Sequence, residues 1–217
     1  MSYHEHEFGE DFEGEYQRQP TEEEEQWYQQ KSAIMESVLG QEYELVCHAI
    51  VPYAVGGALD LYYYPYGIPG TGIATKELCE VKGGGPSNDQ YDNYEFVMFT
   101  RQPLPQNLEF QPEPFAAMHD SINLILNSMA RYAEQAKLNA GDTCEFPADF
   151  EQLGGRCLIL DAYGEQIEAG EFGLVLIMEV HRSEMEFARK NGAQALFDRL
   201  KAAGYYPYSD MDRPPVV

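Results

Sequence analysis

The sequence predicts an α+β fold, in which helices pack on a mixed, largely antiparallel sheet. Three observations lead to this class: short runs rich in Val, Ile, Tyr and Phe lie between turn signals, one long segment repeats apolar residues at helical spacing, and one late run is apolar throughout. Such short runs are typical of antiparallel strands. A chain of 217 residues can form one domain with a substantial core.

The predicted strands fall into two groups. Four in the first half form a meander and two follow later, at 45–53, 58–64, 73–81, 91–101, 156–160 and 172–180. The last contains the run GLVLIMEV, whose two faces are both apolar. We therefore expect it to be a central strand that is covered on both sides.

Four helices are predicted from their caps and periodicity. Thr21 with Glu24 has the capping-box spacing and opens a helix that Gly40 ends. A proline-rich linker at 102–114 leads into a second helix at about 115–138. Ser183 with Glu186 is a second capping box, and it opens a helix that stops at Gly192; the last helix covers 193–203.

Acidic residues dominate the charge. The chain has 37 Asp and Glu against 14 Lys and Arg, a net charge of -23. Nucleic acid and anionic lipid are repelled by such a surface, whereas a basic protein is attracted. The alternative is that the acidity serves solubility alone. Residues 1–20 carry six carboxylates and almost no aliphatic side chains, so we expect a mobile acidic tail before a single domain at 21–217.

Export, membrane insertion and disulfide formation are not indicated. The longest apolar run, 172–178, is far shorter than the ~20 residues of a spanning helix, and the N-terminus lacks the pattern of a signal peptide. The cysteines Cys47, Cys79, Cys144 and Cys157 are widely spaced, which predicts reduced thiols in the cytoplasm.

No catalytic or metal-binding set is predicted, and no cofactor. His181 and Glu184 have a ligand-like spacing but lack further ligands, so structural roles are favoured. Glu179 interrupts an apolar strand and should pair with Arg156, Arg182 or Lys76, since an unpaired buried carboxylate is costly. No activated nucleophile accompanies it, which argues against an enzyme.

The tyrosine-rich strand is the best candidate for a partner-binding surface, since tyrosine can bury its ring and keep its hydroxyl in water. The predicted acidic and aromatic surface comprises Asp60, Tyr62, Tyr64, Tyr66, Tyr206 and Tyr208. The alternative is that most of these rings belong to the core.

Several short segments resemble the suppressor of fused domain family. They are FGLVLIMEVHRSEMEFARKNG at 172–192, ALFDRLKAAG at 195–204, GGALDLYYYPYG at 56–67 and GIATKELCE at 72–80. The similarity runs from about Leu39 to Val217 and contains no catalytic motif. The positions within these segments to which we assign structural roles are Glu77, Glu179, Arg182, Ser183, Glu184 and Gly192.

The resemblance implies a mixed α/β domain without known enzymatic chemistry. Eukaryotic members of the family sequester a transcription factor, and bacterial members are candidate immunity proteins of toxin systems. We therefore expect a protein that occludes a protein partner such as a basic toxin. The alternative is a regulatory adaptor that accepts a peptide by strand addition. Neither the partner nor the oligomeric state follows from the sequence.

The predicted tail yields a direct test. Deletion of residues 1–20 should change the melting temperature by no more than about one or two degrees, because these residues have almost nothing to bury. Thermal unfolding of the full and shortened chains measures the difference. A decrease as large as that caused by loss of a core side chain would show that the segment docks on the domain.

Overall fold

The fold is taken from a computed structural model, which describes residues 20–107, 112–164 and 170–217. The predicted tail, apart from Pro20, and part of the predicted linker lie outside the described residues.

The described residues form four α-helices, one 3₁₀ turn and a seven-stranded sheet. In chain order the elements are α1 Glu22–Leu39, β1 Val46–Cys47, β2 Leu61–Tyr64, β3 Thr71–Ala74, β4 Tyr94–Thr100, α2 Phe115–Ala133, β5 Thr143–Glu145, β6 Cys157–Tyr163, β7 Gly173–Val180, α3 Arg182–Asn191 and α4 Ala193–Ala202. The strand order is β1-β2-β3-β4-β7-β6-β5, and every pair is antiparallel except β4 with β7. The predicted mixed α+β class is confirmed.

The sheet separates two apolar cores. Helix α2 covers one face through a stripe that includes Ile122, Ile125 and Met129. Helices α1, α3 and α4 cover the other face. Strand β7 lies between β4 and β6 and is buried along almost its whole length, as its apolar sequence predicts.

Several predicted boundaries are wrong. The strand predicted at 45–53 forms ladder pairs only in β1, and the one predicted at 73–81 ends at Ala74. Strand β5 was not predicted, because its three residues carry no distinctive alternation. Helix α2 ends at Ala133, earlier than its apolar stripe suggests.

After β3, a buried ion pair supplies hydrogen-bond partners to backbone groups of segment 75–81. Lys31 of α1 and Glu95 of β4 are both fully buried, with Nζ and Oε1 3.0 Å apart. The Lys31 ammonium also donates to the carbonyls of Lys76 and Cys79. Since the ion pair satisfies backbone groups of this segment, the chain can leave the sheet without exposing them.

Glu95 completes the same network from the sheet. Its Oε2 accepts from the Thr75 hydroxyl at 2.6 Å and from the Leu78 amide at 3.2 Å. Its Oε1 accepts from the Cys79 amide at 3.2 Å. Burial opposes the charged form of Lys31, but the neighbouring Glu95 carboxylate outweighs it and the pKa of Lys31 is raised. Lys31 therefore keeps its charge, and segment 75–81 is held from two elements, α1 and β4.

The start of α3 corrects the role predicted for Ser183. The helix begins at Arg182 with His181 as its N-cap, so Ser183 is an exposed residue inside the first turn. The carboxylate of Glu184, the third helical residue, accepts from the His181 amide at 2.9 Å. The predicted capping box of Ser183 with Glu186 is wrong because the helix begins two residues earlier.

Glu184 also anchors the C-terminal segment. Its two oxygens accept from the two terminal nitrogens of Arg213 at 2.7 and 2.8 Å, and both side chains are buried. A buried, bidentate pair of this kind fixes the positions of both side chains, and removal of either partner is strongly destabilising. Burial opposes the charge, but the hydrogen bonds from Arg213, Val216 and His181 outweigh it and leave the pKa of Glu184 lowered.

The other structural assignments have identifiable contacts. Glu179 pairs with Arg156 at 3.2 Å, which is one of the three partners expected for it. Arg182 pairs instead with Glu145 of β5 at 2.6 Å. Gly192 ends α3 with a φ of 91°, a conformation that L side chains rarely adopt.

Breaking the buried ion pair should be strongly destabilising. Lys31→Met should lower the free energy of unfolding by about 3–5 kcal/mol, because Glu95 would be left buried without its cation. Lys31→Met with Glu95→Met should not recover this loss, since the backbone groups of segment 75–81 would lose their partners too. Denaturant unfolding measures both variants.

The control is Lys82→Met, which removes the exposed pair with Glu171 and should cost at most about 1 kcal/mol. Full recovery in the double variant would contradict the backbone role.

The two candidates for the start of α3 can be separated by substitution. Ser183→Ala should change the unfolding free energy by no more than about 0.5 kcal/mol, whereas Glu184→Ala should lower it by about 3–5 kcal/mol. Because the pKa of Glu184 is lowered in the folded state, its contribution is present above the ordinary pKa of glutamate and is lost as the pH falls below it. The difference in unfolding free energy between wild type and Glu184→Ala should therefore become smaller as the pH is lowered into the acid range. A large effect of Ser183→Ala would contradict this assignment.

Candidate partner-binding groove

Two adjoining cavities form a groove that extends from the N-terminal end of α1 to the C-terminal end of α2. We call them the acidic cavity, of about 680 Å³, and the apolar cavity, of about 470 Å³. The acidic cavity is lined by Pro20, Glu24, Glu25, Tyr28, Gln29, Pro52, Ala54, Tyr62, Lys76, Glu77, Glu80 and Val81. The apolar cavity is lined by Tyr53, Ala54, Glu77, Leu78, Glu80, Val81, Gly84, Gly85, Pro86, Ala130, Ala133 and Glu134. They share Ala54, Glu77, Glu80 and Val81, so the two cavities lie side by side.

The first wall of the acidic cavity is the start of α1. Thr21 caps this helix as predicted: its hydroxyl accepts from the Glu24 amide, and the Glu24 carboxylate accepts from the Thr21 amide at 2.7 Å. The cap brings Glu24 and Glu25 to the groove. Carboxylates in this position are also favoured by the helix dipole.

The opposite wall is a short 3₁₀ turn, Tyr53–Val55, which is clamped to α2. Arg131 donates to the carbonyls of Tyr53 and Gly57, and its guanidinium lies 3.8 Å from the centre of the Tyr53 ring. The Tyr53 hydroxyl donates to Glu134 at 2.5 Å. These contacts hold the wall in one position although much of it is exposed.

The one lysine among the described residues of the acidic cavity is already engaged. Lys76 contacts Glu42 at 2.6 Å, and its ammonium lies 4.6 and 5.0 Å from the ring centres of Tyr28 and Tyr62. The Lys76 charge is therefore compensated from outside the cavity. The glutamates of the lining keep the cavity strongly negative.

The ionisable groups at the centre of the groove respond to this environment. Burial raises the pKa of Glu77, and the neighbouring carboxylates of Asp60, Glu80 and Glu95 raise it further. The hydrogen bond from the Asp60 amide acts in the opposite direction and lowers this pKa. Burial, Tyr28 and the nearby carboxylates raise the pKa of Tyr62. At the far end, the Tyr53 hydroxyl and Arg131 lower the pKa of Glu134. A cation brought next to Glu77 would therefore favour its ionised form.

The structure separates the residues of the predicted partner surface. Tyr62 lines the groove, and Tyr66 is exposed on the loop after β2. Asp60 is used internally, since its carboxylate accepts from the Ala49 amide at 2.8 Å and contacts His48 at 2.6 Å. Glu77, predicted to be structural, binds the Asp60 amide and also lines both cavities.

The remaining tyrosines correct the expectation that this face is open to solvent. Tyr64 is fully buried and donates to Glu42, and the ring of Tyr208 is buried with its hydroxyl donating to the Pro69 carbonyl. Tyr206 is half-buried and donates to Asp161. Alternation along β2 is as predicted, but α1 and the C-terminal segment cover the face that carries Tyr64. Partner contact by the accessible rings stays a prediction.

Sequence reasoning missed the network that positions the groove. Lys31 occupies the buried stripe of α1 between Trp27 and Met35, at helical spacing from both. Glu95 lies in an otherwise apolar strand, much as Glu179 does. The signal was therefore a complementary pair of charged residues at positions where apolar side chains are expected.

Among the described residues, no group of three or more His, Cys, Asp or Glu side chains could hold a metal ion. In the same part of the chain, no helix has the length and apolar character needed to cross a membrane. The adjacent Cys47 and His48 make separate contacts, His48 with Asp60 and Cys47 with Tyr63.

Comparisons with known proteins find similarity in structure only. No protein-family model matches the sequence, and no curated protein matches it. A chain of the Sufu–Fu complex crystal structure is similar with a TM-score of 0.59 and 15% identity, over 89% of this chain and 92% of that one. Drosophila Suppressor of Fused is similar with a TM-score of 0.51 and 16% identity, over 77% of this chain and 46% of that one. The chain thus spans less than half of the Drosophila protein and has a suppressor of fused-like fold.

Proposed function

We propose that this chain is a protein-binding module whose groove holds a basic segment of a partner protein. The observation that carries the proposal is the lining of the acidic cavity, which contains Glu24, Glu25, Glu77 and Glu80 and, as its lysine among the described residues, Lys76, which pairs with Glu42. A protein of similar fold has been crystallised in a complex with another protein, which supports a binding role.

The partner in this proposal is blocked by occlusion, as an immunity-type protein blocks a toxin. The net charge of -23 would speed the encounter with a basic partner, and close packing in the groove would set the lifetime of the complex. Stoichiometric addition of the chain should then abolish the activity of a toxin partner. The free state of all four cysteines supports work in a reducing cytoplasm.

The proposed role is not catalytic. The Glu179 carboxylate is engaged in an ion pair with Arg156. Burial is the main cause that raises the pKa of the thiols of Cys79, Cys144 and Cys157. Raised thiol pKa values oppose nucleophilic chemistry.

A regulatory adaptor that accepts a peptide by strand addition is the second candidate. It is favoured by the position of β1, a two-residue strand at one edge of the sheet that pairs with β2. An extended peptide could add to this edge. The adaptor would then contact its partner mainly through backbone hydrogen bonds, and binding would depend little on salt.

A short lysine-rich peptide, labelled for fluorescence anisotropy, tests the groove without a known partner. Glu77→Gln with Glu80→Gln should weaken its binding roughly tenfold, because two carboxylates next to the bound cation are lost. The control removes the same charge elsewhere, with Glu151→Gln and Glu186→Gln, and should weaken binding less than about threefold. Equal weakening by the two double variants would show that only overall charge attracts the peptide.

The same measurement has a defined pH dependence. A cation bound beside Glu77 favours its ionised form, and the pKa of Glu77 in the free chain is raised. Affinity should therefore increase as the pH rises through this raised value, and the increase should be smaller in Glu77→Gln. An unchanged pH profile in Glu77→Gln would place the peptide away from this residue.

A further inference from the structure

The apolar cavity differs in chemistry from the acidic cavity that it adjoins. Its lining beyond the shared residues is mainly small or apolar, with Leu78, Pro86, Ala130 and Ala133 among its members. Its remaining carboxylate, Glu134, is held by Tyr53 and Arg131. The groove therefore has carboxylates at its acidic end and at the shared residues Glu77 and Glu80, and a recess lined by small and apolar residues lies beside them.

Small residues create this recess. Ala130 and Ala133 are buried on α2 and line the recess with methyl groups only. Gly85 is required by a close approach, since a Cβ atom there would lie 2.5 Å from the Cβ of Cys79 and 2.6 Å from the Leu78 carbonyl oxygen. A larger residue would push segment 82–86 away from the recess. At about 470 Å³ the recess falls within the range of specific small-ligand pockets, ~300–1,000 Å³.

Both walls of the recess are fixed before any ligand binds. The Tyr53–Val55 turn is clamped by Arg131, and segment 75–81 is held by the buried pair of Lys31 and Glu95. Because the recess is already formed, little conformational entropy is lost when a ligand binds. Burial of an apolar side chain in the recess therefore contributes most of its free energy to the affinity.

We infer that the groove recognises a two-part linear segment, in which lysine or arginine residues lie next to a bulky apolar residue such as Phe or Leu. The cations face Glu24, Glu25, Glu77 and Glu80, and the apolar side chain enters the recess over Ala133. The shared lining at Ala54 and Val81 allows one extended segment to span both cavities. This inference rests on the proposed function and names the recognition element of the partner.

Peptides of equal length test the inference directly. They carry a run of lysines followed by Phe or by Ala, and a third peptide carries serines followed by Phe. Isothermal titration should give the lysine peptide ending in Phe about tenfold higher affinity than its Ala counterpart, from burial of one aromatic side chain. The serine peptide should bind much more weakly than either.

Variants of the chain locate the apolar contact. Ala133→Leu fills the recess from α2 and should reduce the advantage of Phe over Ala to less than about twofold. Ala54→Leu narrows the recess from its exposed wall and should do the same without disturbing the core. The control is Ala117→Leu, the same change at an exposed position of α2 outside the groove, which should keep the full advantage. Thermal unfolding checks that each variant is folded.

The outcomes separate this inference from the proposed function. Equal affinity for the Phe and Ala peptides, with continued dependence on Glu77 and Glu80, overturns the two-part recognition and leaves the basic-partner proposal intact. A Phe advantage that neither Ala133→Leu nor Ala54→Leu reduces also overturns it. Failure of both lysine peptides to bind at the groove overturns the two proposals together.

Discussion

The buried pair of Lys31 and Glu95 is the interaction on which the groove depends. These residues are 64 positions apart in the sequence, and their contact joins α1 to the centre of the sheet. Two buried charges are expensive unless every polar group around them is satisfied. Here the surplus hydrogen bonds go to the backbone of segment 75–81, which leaves the sheet after β3 and becomes a wall of the groove. The fold and the groove therefore share one electrostatic network.

A second buried pair, Glu184 with Arg213, has the corresponding role at the other end of the domain. It joins the start of α3 to the C-terminal segment, whose rings Tyr206 and Tyr208 pack on the sheet face shared with Tyr64. The segment is further held by Asp210, which accepts from the Thr100 hydroxyl and the Arg101 amide. Two rings of the predicted partner surface, Tyr206 and Tyr208, thereby help to close the second core.

The groove combines a clamped wall with several carboxylates. Electrostatic attraction to an acidic chain brings many basic molecules close, but it does not distinguish among them. Selectivity requires an interaction that only one partner can make, and in the proposed recognition the recess beside the glutamates has this role. The similarity to suppressor of fused structures sets the architecture of the domain, while the chemistry of the groove belongs to the side chains of this sequence.

Features that depend on near neighbours could be predicted from the sequence: the α+β class, the Thr21 cap, the alternation of β2, the central position of β7 and the acidic character. These follow from periodicity, capping and composition, which act within a few residues. Three features became visible only in the folded chain: Tyr64 is covered, Lys31 meets Glu95, and segment 75–81 leaves the sheet. Each of these features depends on packing between elements that are distant in the sequence. The spacing of residues along the chain does not tell which distant apolar or charged side chains will come into contact.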